Sequence, residues 1–435
     1  MIARHESTMP PTESDAHLAD LANFVRASPS SFHAAAEGAR RLTAAGFVEQ
    51  AETEDFAAEP GGYWMVRDGA LVAWRIPTGA SGRSGFRIIG SHTDSPSFKL
   101  KPRPDLTSAG WQQLGVEVYG GPLLNSWLDR ELGLAGRIVT TDGAQHLVRT
   151  GPIMRIPQLA IHLDRQVNEV GVKLDKQLHT APVWSVQGPE GTASGDILRH
   201  LAEIAGVDAA DVLGHDVLAF DTAAPARFGA NEEFFASARL DNLSSVHASL
   251  QAMINNTDAE PITVLAAFDH EEIGSGSRSG ANGPILSDVL GRIALAVGAT
   301  GDQQHQMYAR SYCLSADAGH AVHPNYVGHH DPANRPLLNG GPLLKINANQ
   351  RYATDAVGSA LWRRACAAAG VPTQEFVSNN QLPCGSTIGP LTATRLGITT
   401  VDVGIPLLSM HSAREMAGVA DPYSLARAAE AFLNL

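Results

Sequence analysis

The sequence is sparing with several residue types. It has only three cysteines, Cys313, Cys366 and Cys384, far apart and odd in number. That argues against a disulfide framework or a thiolate zinc site and fits a reducing compartment. Charged residues make up only 18% of the chain, and Lys plus Arg (32) are outnumbered by Asp plus Glu (45), for a net charge of −13. Without a basic surplus, general binding to nucleic acid or to an anionic membrane surface is not expected, although a local basic pocket remains compatible. No run approaches the roughly 20 apolar residues of a membrane span. The N-terminal stretch MIARHESTMPPTESDAH lacks the apolar centre of a signal peptide. A soluble, cytoplasmic protein is the expectation. Residues 1–15, polar and containing proline, read as loose. No internal repeat or low-complexity segment stands out.

What is present is enough apolar residue for a sizeable core, 44% of 435 residues. Length alone suggests two or three domains. Leu18, Leu21 and Val25 share one helical face, and a second helix follows with Ser30 or Ser31 as its N-cap and Gly46 as its stop. Four segments read as buried strands: 86–90 (FRIIG), 262–268 (ITVLAAF), 312–316 (YCLSA) and 399–405 (TTVDVGI). Helical patterns at 242–255, 285–297 and 355–369 lie between the later ones. Strands alternating with helices imply an α/β fold with a mostly parallel central sheet covered on both faces. The stretch from about 95 to 235 differs: Gly, Pro and alternating apolar residues there suggest short antiparallel strands. The reading is a discontinuous α/β domain, 1–94 and 236–435, interrupted by an inserted β-rich domain, 95–235.

The chain holds 17 histidines, and the informative ones have carboxylate company. An acidic or histidine cluster follows each predicted strand: His92 and Asp94; Asp269, His270, Glu271 and Glu272; Asp317, His320 and His323; and His411. Open α/β sheets bind ligands beyond the carboxyl ends of their strands, so the four clusters are expected to converge. Asp241 opens a helix, where the dipole favours a carboxylate. Two divalent ions about 3.5–4 Å apart need a shared carboxylate and further ligands for each. Histidine plus carboxylate suits Zn2+ and also tolerates Mn2+ or Co2+. Of Glu271 and Glu272, one would hold a metal and the other accept a proton. Each piece alone has a plainer reading: Asp241 as a helix cap, His320 and His323 as packed or hydrogen-bonded residues. Cys384 has no base beside it in sequence and reads as a structural thiol. Gly274, Gly276 and Gly280 do not have dinucleotide-fingerprint spacing.

At these residues the chain resembles the aspartyl aminopeptidase family of dinuclear zinc peptidases. The strings that carry the likeness are IGSHTDSPSFKLKP, LAIHLDR, ARLDNLSS, FDHEEIGSGS, SADAGHAVHPNY, LKINANQRYATD, LPCGSTIGPLTATRLGI and MHSAREM. They run from about residue 20 to the C-terminus. The resemblance implies a zinc-peptidase domain whose β-rich insertion serves dimerisation, and assembly into a tetrahedral homo-dodecamer. It implies two ions per subunit bridged by Asp241, one completed by His92 and Asp317, the other by Glu272 and His411. Glu271 becomes the general base, and Asp94 orients His92. Lys345 becomes the positive group facing acidic substrate side chains, with Arg351 an alternative. His162 would reach a neighbouring subunit's active site, against the plainer reading of a buried structural histidine. The implied reaction releases Asp or Glu from the N-terminus of peptides. A neutral-residue aminopeptidase, an N-acyl deacylase and a non-catalytic scaffold are the rival readings.

Overall fold

A computed structural model of the chain describes residues 12–186, 188 and 196–435. Of the N-terminal stretch expected to be loose, residues 1–11 lie outside the described residues. Residues 12–15 correct that expectation. Thr12 caps the helix Glu13–Ala27: its hydroxyl accepts the Asp15 N–H at 3.1 Å, and the Asp15 carboxylate accepts the Thr12 N–H at 3.1 Å. This reciprocal pair satisfies two donors that a helix start otherwise leaves unpaired. Ser30 caps the next helix, Ser31–Ala44, as its sequence position suggests.

The four predicted strands form the middle of a nine-stranded sheet. They are Phe86–His92, Ile262–Phe268, Tyr312–Ala316 and Thr399–Gly404, and each runs parallel to its neighbour among the four. Residues alternate between two buried faces. Leu265, Ala267, Ile89, Leu314 and Val401 join the core beneath the helices Glu13–Ala27, Ser31–Ala44, Leu240–Asn255, Ala356–Ala369 and Asp421–Leu433. Val264, Ala266, Ile88 and Cys313 join the opposite core, beneath Ile285–Ala296, Gly301–Ala309 and Ile388–Leu396. Burial on both faces explains why these strands read as unbroken apolar runs. Register matters for the site. Phe268 pairs with His92 and Ser315 with Gly90, so the strand ends align and the segments after them leave from one edge. The flanks of the sheet are mixed, with Ala70–Ile76 and Leu343–Ile346 antiparallel to their inner neighbours.

A second sheet has six strands drawn from residues 97–221, all paired antiparallel, with a core of its own around Phe98, Trp127, Leu134 and Val217. A third, five-stranded sheet joins Ala226–Phe228 and Phe234–Ser237 to Pro406–Leu408 and Glu415–Gly418. Among the described residues no helix is long and apolar enough to cross a membrane.

Two histidines on the first two helices, His17 and His33, make a stability prediction. Burial, with Arg149 and Arg239 adding, pushes His33 down to about 4, and burial beside His247 pushes His17 down to about 3. Both are neutral in the fold, whereas the unfolded chain takes up these protons near pH 6.5. Their contribution is complete above pH 6.5 and is lost as pH falls toward their folded values. For His33 the loss between pH 7 and pH 5 is about 2 kcal/mol. Urea unfolding at the two pH values should show the His33→Gln variant losing less stability than wild type by about that amount. Equal losses would exclude His33 as a source of acid sensitivity.

Candidate metal centre

His92 is the last residue of its strand, and Asp317 directly follows the strand Tyr312–Ala316. Glu271 and Glu272 sit in a short helical turn just beyond the strand Ile262–Phe268, entered through His270 in the left-handed region at φ 63°. Asp241 lies in the first turn of Leu240–Asn255, with an extended rather than helical backbone. His411, also left-handed at φ 65°, sits in the turn after Pro406–Leu408. Segments up to 319 residues apart in sequence, from His92 to His411, thus meet at one sheet edge.

Three groups of side chains bring possible ligand atoms within 4.8 Å of one another: His92 with Asp241 and Asp317; Asp241 with Glu272 and His411; and His92 with Glu271 and Glu272. Asp241 faces both histidines. Its Oδ1 lies 3.3 Å from His92 Nε2 and its Oδ2 lies 3.4 Å from His411 Nε2. Asp317 Oδ2 is 3.7 Å from His92 Nε2, and Glu272 Oε2 is 3.3 Å from His411 Nε2. Both rings present the same nitrogen because the other is occupied. His92 Nδ1 donates to the Asp94 main-chain oxygen at 3.1 Å, and His411 Nδ1 donates to that of Gly121 at 3.1 Å.

The electrostatics fit a divalent cation. Asp241 Oδ1 and Glu272 Oε1 are buried without a hydrogen-bond partner among the described residues. Burial pushes Glu271 up to about 8, against the pull of His92 and with Asp317, Asp94 and Asp241 adding to the rise. Burial and Asp241 hold Glu272 well above the usual carboxylate range. Burial opposes charge on the histidines too, yet Asp241 and Asp94 raise His92, and Asp241 brings His411 up to about 9. The carboxylates therefore lack countercharge, and protons would supply it where no cation does. Two imidazole nitrogens among carboxylate oxygens are a donor set that suits zinc.

Asp94 does more than contact His92, whose Nδ1 is 3.4 Å from Asp94 Oδ1. It also accepts the N–H groups of Glu271 at 3.0 Å and Glu272 at 3.1 Å, and the Tyr119 hydroxyl at 2.8 Å. Tyr119 was not singled out from sequence. It ends a strand of the six-stranded sheet, and only the structure brings that strand to this turn. The next residue, Gly120, has φ 71°, and a Cβ there would stand 3.1 Å from Glu272 Cβ. Glycine satisfies both requirements.

Lys345 is 1% exposed. Its Nζ donates to Asp317 Oδ1 at 3.1 Å and to the Ala318 oxygen at 2.6 Å, and lies 5.4 Å from the Tyr352 ring centre. It lines a cleft of about 270 Å³ with His92, Glu271, Asp317, His320 and His411. Arg351 is exposed and outside that lining. His162 is likewise exposed and outside it, so the reading of a buried structural histidine does not apply within one chain. His320 packs against Phe376, and the His323 N–H donates to His330 at 3.0 Å. Cys384 packs with Leu343, Tyr352 and Phe376.

Comparison with known proteins identifies the family. Residues 24–433 match the model of the aminopeptidase I zinc metalloprotease (M18) family. A probable M18 family aminopeptidase 2 of Streptomyces coelicolor is 50% identical over 423 residues, covering 96% of this chain and 98% of that protein. Its namesake from Mycobacterium tuberculosis is 43% identical over 428 residues, covering 95% of this chain and 97% of that one. Among solved structures, a cryo-EM structure of the Ape4 and Nbr1 complex superposes with a TM-score of 0.93 at 35% identity, covering 97% of this chain and 86% of that one. The S. cerevisiae mApe1 dodecamer gives 0.84 at 28% identity, covering 96% of each. The family match over residues 24–433 and the near-complete coverage of the relatives lead to one conclusion: the chain belongs to the M18 family of zinc metalloprotease aminopeptidases, the aspartyl aminopeptidase family.

Proposed function

We propose that the protein is a dinuclear metallo-aminopeptidase that releases Asp or Glu from the N-terminus of peptides. The observation that carries this reading is the pair of ligand groups sharing Asp241. His92, Asp241 and Asp317 would hold one ion, and Asp241, Glu272 and His411 the other. Zinc is the family's metal, and the donors also accept Mn2+ or Co2+. Bound ions lower the pKa of water and polarise a scissile carbonyl. Glu271 takes the proton from the attacking water and delivers it to the leaving amine. Asp94 holds the ring of His92 and, through their N–H groups, the turn that carries both glutamates. An ammonium has three donors. Lys345 uses two on Asp317 and Ala318, which leaves one to meet the carboxylate of an acidic substrate side chain.

His162 is flanked by the exposed Leu159, Ile161 and Leu163, which suits a segment covered by another copy of the chain. Its role is to reach a neighbouring subunit's cleft. The inserted domain, 95–235, interrupts the catalytic domain, 1–94 and 236–435, and serves dimerisation of two subunits. The assembly is a tetrahedral dodecamer in the cytoplasm, in keeping with the dodecameric S. cerevisiae relative.

A substrate panel on chelator-stripped protein restored with Zn2+, Mn2+ or Co2+ tests the reading. Asp and Glu substrates should be cleaved well ahead of Leu and Ala ones, and only after metal is restored. Lys345→Ala should lower kcat/KM for Asp at least about tenfold more than for Leu, the worth of one charge-assisted hydrogen bond. Equal losses would remove Lys345 from selectivity. Preference for Leu would indicate a neutral-residue aminopeptidase, and hydrolysis of an N-acetylated substrate a deacylase. No turnover with two ions bound would indicate a scaffold.

A further inference from the structure

Glu415 is a buried carboxylate whose two oxygens are spent on main-chain donors. The strand Glu415–Gly418 pairs antiparallel with Phe234–Ser237, and Glu415 faces Ser237 in that ladder. From this pair one chain runs forward to Asp241, and the other runs back to His411. Both connections pass through left-handed residues other than glycine, Arg239 at φ 58° and His411 at φ 65°. Such conformations persist where the surroundings fix them. Glu415, 2% exposed, supplies a fixing point: Oε2 accepts the Asp241 N–H at 3.0 Å and Oε1 accepts the His411 N–H at 2.9 Å. It makes no ion pair with Lys, Arg or His among the described residues. Burying a carboxylate is unfavourable unless its oxygens are satisfied. Here the satisfaction comes from two residues whose side chains face each other, His411 Nε2 lying 3.4 Å from Asp241 Oδ2.

We propose that Glu415 is a positioning residue that fixes the spacing of Asp241 and His411 by binding both main chains at one carboxylate. This rests on the dinuclear reading above. Removing one acceptor should let one ligand drift, with the weakening of about 10–100-fold typical of groups that support metal ligands. In Glu415→Gln an NH2 replaces one oxygen, so only one of the two N–H groups keeps an acceptor.

Cobalt titration of chelator-stripped protein, followed by visible absorption, reads this without turnover. Circular dichroism and solution mass establish that the variant folds and assembles. Wild type is expected to bind two Co2+ per chain, and Glu415→Gln to bind at least one of them about 10–100-fold more weakly. Two wild-type affinities in the variant would overturn the role of Glu415. Fewer than two ions on wild type would instead overturn the dinuclear reading. Glu415→Asp keeps the charge but shortens the reach. It takes the same titration should the amide variant be insoluble, with weakened cobalt binding supporting the proposal and unchanged binding overturning it.

Discussion

Glu271→Gln should retain two metal ions and lose about 10²–10⁴-fold in kcat, the range assigned to a positioned general base. The two glutamates sit on one turn, and Asp94 accepts the N–H of both. They differ in what their carboxylates face. Glu272 Oε2 is 3.3 Å from His411 Nε2 and completes a group with Asp241. Glu271 lines the cleft that also holds Lys345, whereas Glu272 is not part of that lining. A third grouping places Glu271 with His92 and Glu272, which would make Glu271 a ligand instead. The amide variant separates these assignments, because Gln can neither accept the water's proton nor supply an anionic ligand. Full metal content with lost turnover supports the base, while loss of a metal ion supports the ligand. The paired variant Glu272→Gln should give the reverse pattern, with loss of metal from the side that His411 completes. Elemental analysis beside kcat on the same preparation reads both quantities.

The strands and the clusters behind them were legible because burial on both sheet faces leaves long apolar runs. The polar residues ending those runs therefore stood out. His92, Glu271, Glu272, Asp317 and His411 were found in this way. Asp241 was ambiguous, since a carboxylate opening a helix has a local reason to be there. Other features left no mark in sequence. Tyr119 and Glu415 act through hydrogen bonds to segments 25 and 174 residues away, the second to main-chain N–H groups that every residue type offers. Lys345 lies in the apolar strand Leu343–Ile346, yet its near-complete burial depends on Asp317 and Ala318 arriving from another strand end. The start of the first helix at Thr12 was readable as a T-x-x-D capping pattern, but the neighbouring prolines masked it.

Asp241→Asn should remove both metal ions together, and with them at least about 10³-fold of the activity, a loss comparable to removal of the whole catalytic assembly. The change is nearly isosteric, so its effect isolates charge and donor type. Each carboxylate oxygen faces a different histidine, Oδ1 toward His92 and Oδ2 toward His411. Asn keeps one oxygen and turns an NH2, which cannot ligate, toward the other site. It also withdraws the negative charge that both sites share. Loss of the His92 partner would leave Asp317 beside a single imidazole, and loss of the His411 partner would leave Glu272 likewise. His411→Ala, by contrast, strips a ligand from one side alone and should leave about one ion per chain. Metal content of the two variants at equal free zinc distinguishes a shared carboxylate from two independent sites. Both near zero for Asp241→Asn and near one for His411→Ala is the pattern of a bridge. One ion in each would make Asp241 an ordinary ligand and assign the second group in the cluster to a different carboxylate, with Glu271 the nearest alternative.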